Sequence, residues 1–170
     1  RGNISDQLYF GGWSQGNNFE LHSGADLVVE HNLVSGGSWP VRGTGGVFRY
    51  NLVLNAGEDW LWISQSNAQV HHNIFAEGEN DRAGIFLLYS PTNVQFFNNT
   101  LDGGGVHANQ VPLLAENGTT AGLASNVFYR FRGTPIIGLR GSAALTTNYN
   151  LFYNPGVSGI RNYQDNRAPE

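Results

Sequence analysis

Three aspartates recur at a nearly constant spacing and are the first candidates for chemistry in this 170-residue chain. Asp59, Asp81 and Asp102 are separated by 22 and 21 residues. If this spacing is one structural repeat, carboxylates on neighbouring repeats would lie about 5 Å apart and those on alternate repeats about 10 Å apart. The shorter distance suits nucleophilic glycoside cleavage or a Ca²⁺ site, and the longer one suits inverting hydrolysis. The alternative interpretation is a set of ordinary solvated loop acids.

Four basic residues offer a second kind of chemistry. Arg82 and His107 lie in predicted loops, whereas Arg42 and Arg140 end predicted strands. Elimination beside a uronate carboxylate needs a cation to neutralise that carboxylate and a base to remove the neighbouring proton. Arginine suits bidentate recognition of a carboxylate. The alternative is that these arginines pair with nearby surface acids.

Exposed aromatic residues are the candidates for binding a sugar. In the segment WLWIS, if Leu61 and Ile63 point inward, Trp60 and Trp62 must point outward, because side chains alternate along a strand. Tyr89 ends the next predicted strand. We expect these aromatic residues to bind substrate together with Arg42 and Arg140. The alternative for Trp60 is packing beneath a loop in a satellite cluster.

A histidine pair raises the question of a metal site. His71 and His72 are adjacent, and His31 occupies the equivalent position in an earlier segment. Because neighbouring residues of a strand face opposite sides, the pair is predicted not to share an ion. Hydrogen bonding at a corner of the chain is the expected role of these histidines. The one cofactor that the residues suggest is Ca²⁺ near the aspartates.

The elements that must position these residues follow from a second repeat. Six asparagines, with gaps of 19, 22, 26, 27 and 24 residues, each begin a short and mainly apolar stretch: Asn32, Asn51, Asn73, Asn99, Asn126 and Asn150. Self-similarity at such a period is typical of a solenoid. Around Asn73, apolar and polar residues alternate in three short runs, which predicts strands near residues 60–64, 68–72 and 74–76.

The positions five and three residues before each asparagine are mostly apolar and are predicted to face the core. They are Leu27 and Val29, Gly46 and Phe48, Ala68 and Val70, Val94 and Phe96, Ala121 and Leu123, and Leu145 and Thr147. The residues between them are mixed in character, as on an outer surface. No window carries helical apolar spacing for more than two turns, so a helical solenoid is not predicted.

Three parallel strands per coil with an asparagine at one corner resembles the right-handed parallel β-helix of the pectate lyase and polygalacturonase group, over residues 27–152. The expected fold is therefore an all-β, single-stranded parallel β-helix of about six to seven coils. Asparagines stacked at the strand spacing would form a hydrogen-bonded ladder. The resemblance implies a groove over the first strand of each coil. No segment matches the catalytic motifs of either enzyme group.

The composition of the chain limits the classes of partner and environment that we expect. A net charge of −4 argues against nucleic acid, the absence of cysteine rules out a disulfide framework, and no apolar run approaches the length of a membrane span. We expect one domain over residues 1–170, either complete or an internal section of a longer secreted or cell-surface polypeptide, with an irregular segment at 153–170.

Two functions from different classes remain open. The first is an extracellular carbohydrate-active β-helix that binds a polysaccharide, and as a lyase or glycoside hydrolase cleaves it, over the first-strand sheet. The second is a non-catalytic structural or glycan-binding module of a larger protein. The fold alone does not choose between them.

Overall fold

The protein is built from nineteen short strands in the part of the chain that the structure describes. The computed structural model describes residues 4–7, 17–20, 27–36, 39–44, 46–56, 59–78, 84–87, 89–104, 112–131 and 136–153, with the backbone alone given for 4–7, 17–20, 39–44, 78 and 86. Over these ranges no helix has the length and apolar character needed to cross a membrane.

The strands form three parallel sheets, each containing one strand from every coil. Sheet 1 contains β2 (Asn17–Glu20), β5 (Trp39–Thr44), β8 (Leu61–Ile63), β11 (Ile85–Leu87), β14 (Leu113–Ala115) and β17 (Ile137–Leu139). Sheet 2 contains β3 (Val28–Glu30), β6 (Val47–Arg49), β9 (Gln69–His71), β12 (Val94–Phe97), β15 (Thr120–Ala124) and β18 (Ala144–Asn148). Sheet 3 contains β1 (Ile4–Gln7), β4 (Leu33–Gly36), β7 (Leu52–Ala56), β10 (Ile74–Gly78), β13 (Thr100–Asp102), β16 (Val127–Tyr129) and β19 (Leu151–Tyr153).

Each strand pairs with the equivalent strand of the next coil, so the chain winds as a parallel β-helix. In the third predicted repeat, the strands run over residues 61–63, 69–71 and 74–78, close to the predicted bounds. Every strand pair is parallel, and a register shift interrupts the pairing of β5 with β8 between Val41 and Thr44. The predicted all-β solenoid is confirmed.

The six corner asparagines form the predicted ladder between sheets 2 and 3. In each step the backbone N–H and the side-chain Nδ2 of one asparagine both donate to Oδ1 of the next, at 2.9–3.1 Å. Asn73, Asn99 and Asn126 are at most 1% exposed. A buried amide is tolerated only when its donors and acceptors are satisfied, and the neighbouring coils supply those partners.

The residue before each ladder asparagine makes the corner tight. Its φ lies between 53° and 59° in every coil, in the left-handed region, although none of the six is glycine: His31, Tyr50, His72, Asn98, Ser125 and Tyr149. This conformation reverses the side-chain direction expected from strand alternation. All six side chains are exposed and form one column along the rod, which we call the corner column.

The core lies inside the coils and is aromatic at its centre. Phe75 stacks between Phe48 and Phe96, with ring centroids 6.2 Å and 6.5 Å apart. Most of the predicted inward positions are buried, including Val70 and Leu123 at 1% exposure. Leu27 and Leu145 are half-buried, and Thr147 is exposed in β18.

Candidate functional site

The three predicted aspartates do not form one stack. Asp102 lies in β13, in register with Ala76 of β10 and Tyr129 of β16. Asp59 precedes β8 of sheet 1 and is therefore not in the column of Asp102. The prediction of a shared edge was wrong because the loops differ in length, so an interval of 21 or 22 residues does not mark equivalent positions. Asp81 lies outside the described residues.

Asp102 is held as a carboxylate by an ion pair. Arg130 donates to it through Nε at 2.8 Å and Nη2 at 2.5 Å, and the backbone N–H of Gly104 donates at 2.9 Å. Burial acts to raise the pKa of Asp102, but the hydrogen bonds from Arg130 and Gly104 and the charge of Arg130 outweigh it, and the pKa lies below its ordinary value. These contacts are those of a structural ion pair.

Asp102→Asn is expected to lower the free energy of unfolding by about 1 kcal/mol at neutral pH, since the pair is partly exposed. The lowered pKa means that this contribution is present above the pKa of the unfolded carboxyl group and is lost as pH falls through the folded one. Urea unfolding at pH 7 and pH 3 should show a smaller difference between wild type and variant at pH 3 than at pH 7. Glu116→Gln, which removes a single 3.2 Å contact with Arg140, is the control and should cost less. Equal losses for the two variants would contradict this ranking.

Asp59 and Trp62 form a second contact at sheet 1. Trp62 Nε1 donates to Asp59 Oδ2, and Asp59 is only 6% exposed. Trp62 is partly exposed between buried Leu61 and Ile63, so its predicted outward direction is confirmed. In the strand register of sheet 1, Trp62 is the partner of Phe86, and Phe86 is the partner of Leu114. Leu114 is only 4% exposed, so the outer face of sheet 1 is covered at that coil.

The predicted outward direction of Trp60 is wrong. Trp60 is fully buried, with its ring centroid 6.1 Å from those of both Phe75 and Phe131. It lies in the bend before β8 rather than in the strand, so strand alternation does not apply to it. A side chain with no exposed surface cannot stack on a sugar, and Trp60 is instead part of the core.

The other predicted site residues are dispersed. Arg140 follows β17 and donates from Nη1 to Glu116 Oε1 at 3.2 Å, which agrees with the alternative of pairing with a nearby acid. Tyr89 is 74% exposed and has a φ of 63°. Arg42 lies in β5 in register with Glu20, where the backbone alone is described. Arg82 and His107 lie outside the described residues.

A shallow groove follows the corner column on the side of sheet 3. Its rim is formed by the rings of His31, Tyr50 and His72, and its floor by an outward row of aliphatic side chains: Leu33, Leu52 and Ile74. The rings follow one another at 5.2 Å between centroids, at interplanar angles of 10° and 36°. Tyr50 is 46% exposed and Ile74 is 48% exposed. The groove therefore offers ring edges and apolar surface at each successive coil.

Beside this groove, the two adjacent histidines meet. The Nδ1 atoms of His71 and His72 are joined by a hydrogen bond of 2.9 Å, which confirms the expected hydrogen bonding at the corner. The expectation that they face opposite sides was wrong, because His72 has a φ of 56° and lies at the corner rather than in the strand. Burial, then the nearby His72 and the charge of Arg49, lower the pKa of His71, so its neutral form is favoured.

Arg49 is itself paired on the outer face of sheet 2. Its Nε and Nη2 donate to Glu30 Oε2 at 2.9 Å and 2.7 Å, and Glu30 is only 6% exposed. Glu30, Arg49 and His71 occupy equivalent positions in successive coils. Among the described residues, no group of three or more His, Cys, Asp or Glu side chains is placed to hold a metal ion.

Sequence reasoning missed the groove because it took the residue before each asparagine as part of a strand. A signal was present, since four of these six positions carry His or Tyr: His31, Tyr50, His72 and Tyr149. An aromatic residue at a fixed place in a repeat predicts a column on one face once the corner is known to project that side chain outward.

Comparison with known proteins gives a family-level match. A family profile described as "Right handed beta helix region" matches residues 3–128, well over half of the chain. No match was found among curated proteins or among solved structures.

Proposed function

The chain belongs to the right-handed beta helix region family, and from that premise we propose that it is a secreted or cell-surface module that binds a polysaccharide along the groove beside the corner column. The observation that carries the proposal is the repeated pairing, coil by coil, of an exposed ring at the corner with an aliphatic side chain from sheet 3. Aliphatic side chains pack against the C–H faces of sugars, and the polar atoms at the edges of exposed His and Tyr rings bind hydroxyl groups.

The repeat of the groove supports a polymer as the ligand. His31, Tyr50 and His72 follow one another at 5.2 Å along the rod. That spacing is close to the length of one sugar unit in an extended polysaccharide, so one chain lying along the axis makes equivalent contacts at several coils. Because the rings stack on one another, their edges rather than their faces meet the ligand. Affinity should accordingly rise with oligosaccharide length up to the length of the groove.

Binding without cleavage is the role favoured by the described residues. Asp102 is neutralised by Arg130, and Asp59 accepts a hydrogen bond from Trp62 near a different sheet. Neither carboxylate faces the other in the strand register, as a hydrolytic pair would need to. The groove itself contains imidazole, phenol and amide groups.

The test is Tyr50→Asn, because asparagine already occupies an equivalent corner position at Asn98 with the same sign of φ. Isothermal titration with a panel of acidic and neutral polysaccharides, and with oligosaccharides of increasing length, should show roughly tenfold weaker binding, about 1.4 kcal/mol, for this variant. The matched control is Tyr149→Asn, in the same corner column but outside the groove, and it should bind like wild type. Thermal unfolding checks that both variants are folded.

Three outcomes would contradict the proposal. Equal affinities for wild type and Tyr50→Asn would remove the ligand from this groove. Release of unsaturated uronate or of new reducing ends from the same panel would make the protein a lyase or a hydrolase rather than a binding module. Failure of every glycan to bind would leave a structural rod in place of a glycan-binding one.

A further inference from the structure

His71 and His72, the second of which also lies on the rim of the proposed glycan groove, bring two ring nitrogens together at the surface of the rod. Neutral imidazole nitrogens are among the commonest metal ligands in proteins. Two nitrogen ligands about 2.0 Å from a metal ion lie about 2.9 Å apart when they meet it at a right angle, and about 3.3 Å apart in a tetrahedral site. The observed Nδ1–Nδ1 distance of 2.9 Å is that of a hydrogen bond between the two rings, and a metal ion bound at a right angle would replace the shared proton with little change in this distance.

The surroundings hold the pair in place. The His71 ring stacks on Phe97 at 4.6 Å with an interplanar angle of 11°, and the edge of Tyr50 packs against it at 6.0 Å. The rigid corner fixes His72, whose φ of 56° brings its imidazole to the same side as that of His71. Two rings that are already convergent lose little further freedom on binding an ion.

The neighbouring charges do not oppose a cation. Arg49 is the nearest cationic side chain in the column, and Glu30 neutralises it through two hydrogen bonds. On the far side of His72, the Asn98 amide lies 3.4 Å from Nε2. When both Nδ1 atoms bind metal, the proton of His72 moves to Nε2, and Oδ1 of Asn98 accepts it after the amide turns over. Such an outer partner fixes the tautomer of a metal-bound histidine.

We propose that His71 and His72 chelate one divalent ion that prefers tetragonal nitrogen coordination, Cu²⁺ above Ni²⁺, through both Nδ1 atoms at the open surface of the rod. Imidazole ligands suit Cu²⁺, Ni²⁺ and Zn²⁺, and of these three ions Cu²⁺ binds most tightly at a given nitrogen site. Water or an incoming ligand completes the coordination. The site requires no glycan and stands whether or not the groove binds one.

The test is titration of the purified protein with Cu²⁺ in the absence of glycan, with glycine present to suppress weak single-ligand sites. We expect one ion per chain and an electron paramagnetic resonance spectrum with coupling to two imidazole nitrogens. His72→Asn keeps a residue that tolerates the corner conformation and should weaken binding roughly tenfold or more. His71→Asn should do the same.

The matched control is His31→Asn, which changes an exposed histidine of the corner column that has no histidine beside it in sequence. It should bind Cu²⁺ like wild type, as should the double variant His22→Asn and His107→Asn, which changes the two histidines that lie outside the described residues. Unchanged affinity in His72→Asn, coupling to a single nitrogen in the wild type, or loss of binding in the double variant would each overturn the proposal. Circular dichroism separates lost binding from lost folding.

Discussion

Asn99→Ala is expected to lower the free energy of unfolding by about 4 kcal/mol. Its Oδ1 accepts the backbone N–H and Nδ2 of Asn73, both at 3.0 Å. Its Nδ2 donates to the carbonyl oxygen atoms of Val70 and Phe97 and to Oδ1 of Asn126. Alanine would leave several buried donors and acceptors without partners, and each costs about 1–3 kcal/mol. Urea unfolding followed by circular dichroism measures the loss.

The control for this prediction is the neighbouring residue of the same type. Asn98 is exposed, with a φ of 55°. Glycine adopts that conformation without strain, so Asn98→Gly should change the free energy of unfolding by no more than about 0.5 kcal/mol. If the two variants unfolded at the same urea concentration, the ladder would not be the source of stability that its hydrogen bonds indicate.

The ladder and the strands could be predicted from the sequence because each depends on a local rule that repeats. An asparagine at a buried corner needs partners, and the identical residue one coil away supplies them, so the same residue recurs at every coil. The inward columns recur for the same reason, since each coil buries the equivalent positions. Because the pattern recurs in five further coils, a local signal that is weak in one coil becomes a reliable prediction for all of them.

The groove could not be predicted so well, because its exposed rings lie at positions where the backbone departs from regular strand alternation. His72 is exposed at the corner only because its backbone is left-handed, a conformation that six different non-glycine residues of the corner column share. No property common to His, Tyr, Asn and Ser marks that conformation in advance, although Asn tolerates it.

The predicted stacking of the aspartates was wrong because the loops differ in length. Ala76, rather than Asp81, is the register partner of Asp102, and the coil that joins Ala76 to Asp102 spans 26 residues. Counting along the chain measures strands and loops together, whereas stacking depends on strand register alone. The ladder asparagines are the better reference, because each directly precedes the third strand of its coil.

The corner between sheets 1 and 2 also carries a hydrogen-bonded ladder that the sequence did not reveal. Between sheets 1 and 2, Asn67 Oδ1 accepts a hydrogen bond from Asn93 Nδ2 at 2.9 Å, and Ser66 Oγ accepts one from the Thr92 backbone N–H at 2.9 Å. This ladder is mixed in residue type and exposed, so no single residue recurs to reveal it. Water can satisfy the same groups, and the sequence is correspondingly free to vary.

Trp60→Ala is expected to lower the free energy of unfolding by about 4 kcal/mol, because it leaves a cavity in the core. Trp60 is fully buried between Phe75 and Phe131, and its Nε1 has no hydrogen-bond partner among the described residues. Trp60→Phe should therefore cost only about 1 kcal/mol, since it keeps much of the apolar volume and removes that unpaired donor.

Trp62→Ala is the contrasting change two residues away. Trp62 is partly exposed, and its removal takes a hydrogen bond from buried Asp59, so a loss of about 1–2 kcal/mol is expected. Thermal and urea unfolding of the three variants give the ranking. A larger loss for Trp62→Ala than for Trp60→Ala would contradict the placement of Trp60 in the core. Glycan titration of Trp62→Ala distinguishes between two binding surfaces. Unchanged affinity agrees with glycan binding in the groove at Tyr50. Weaker binding would indicate that the glycan binds on the outer face of sheet 1.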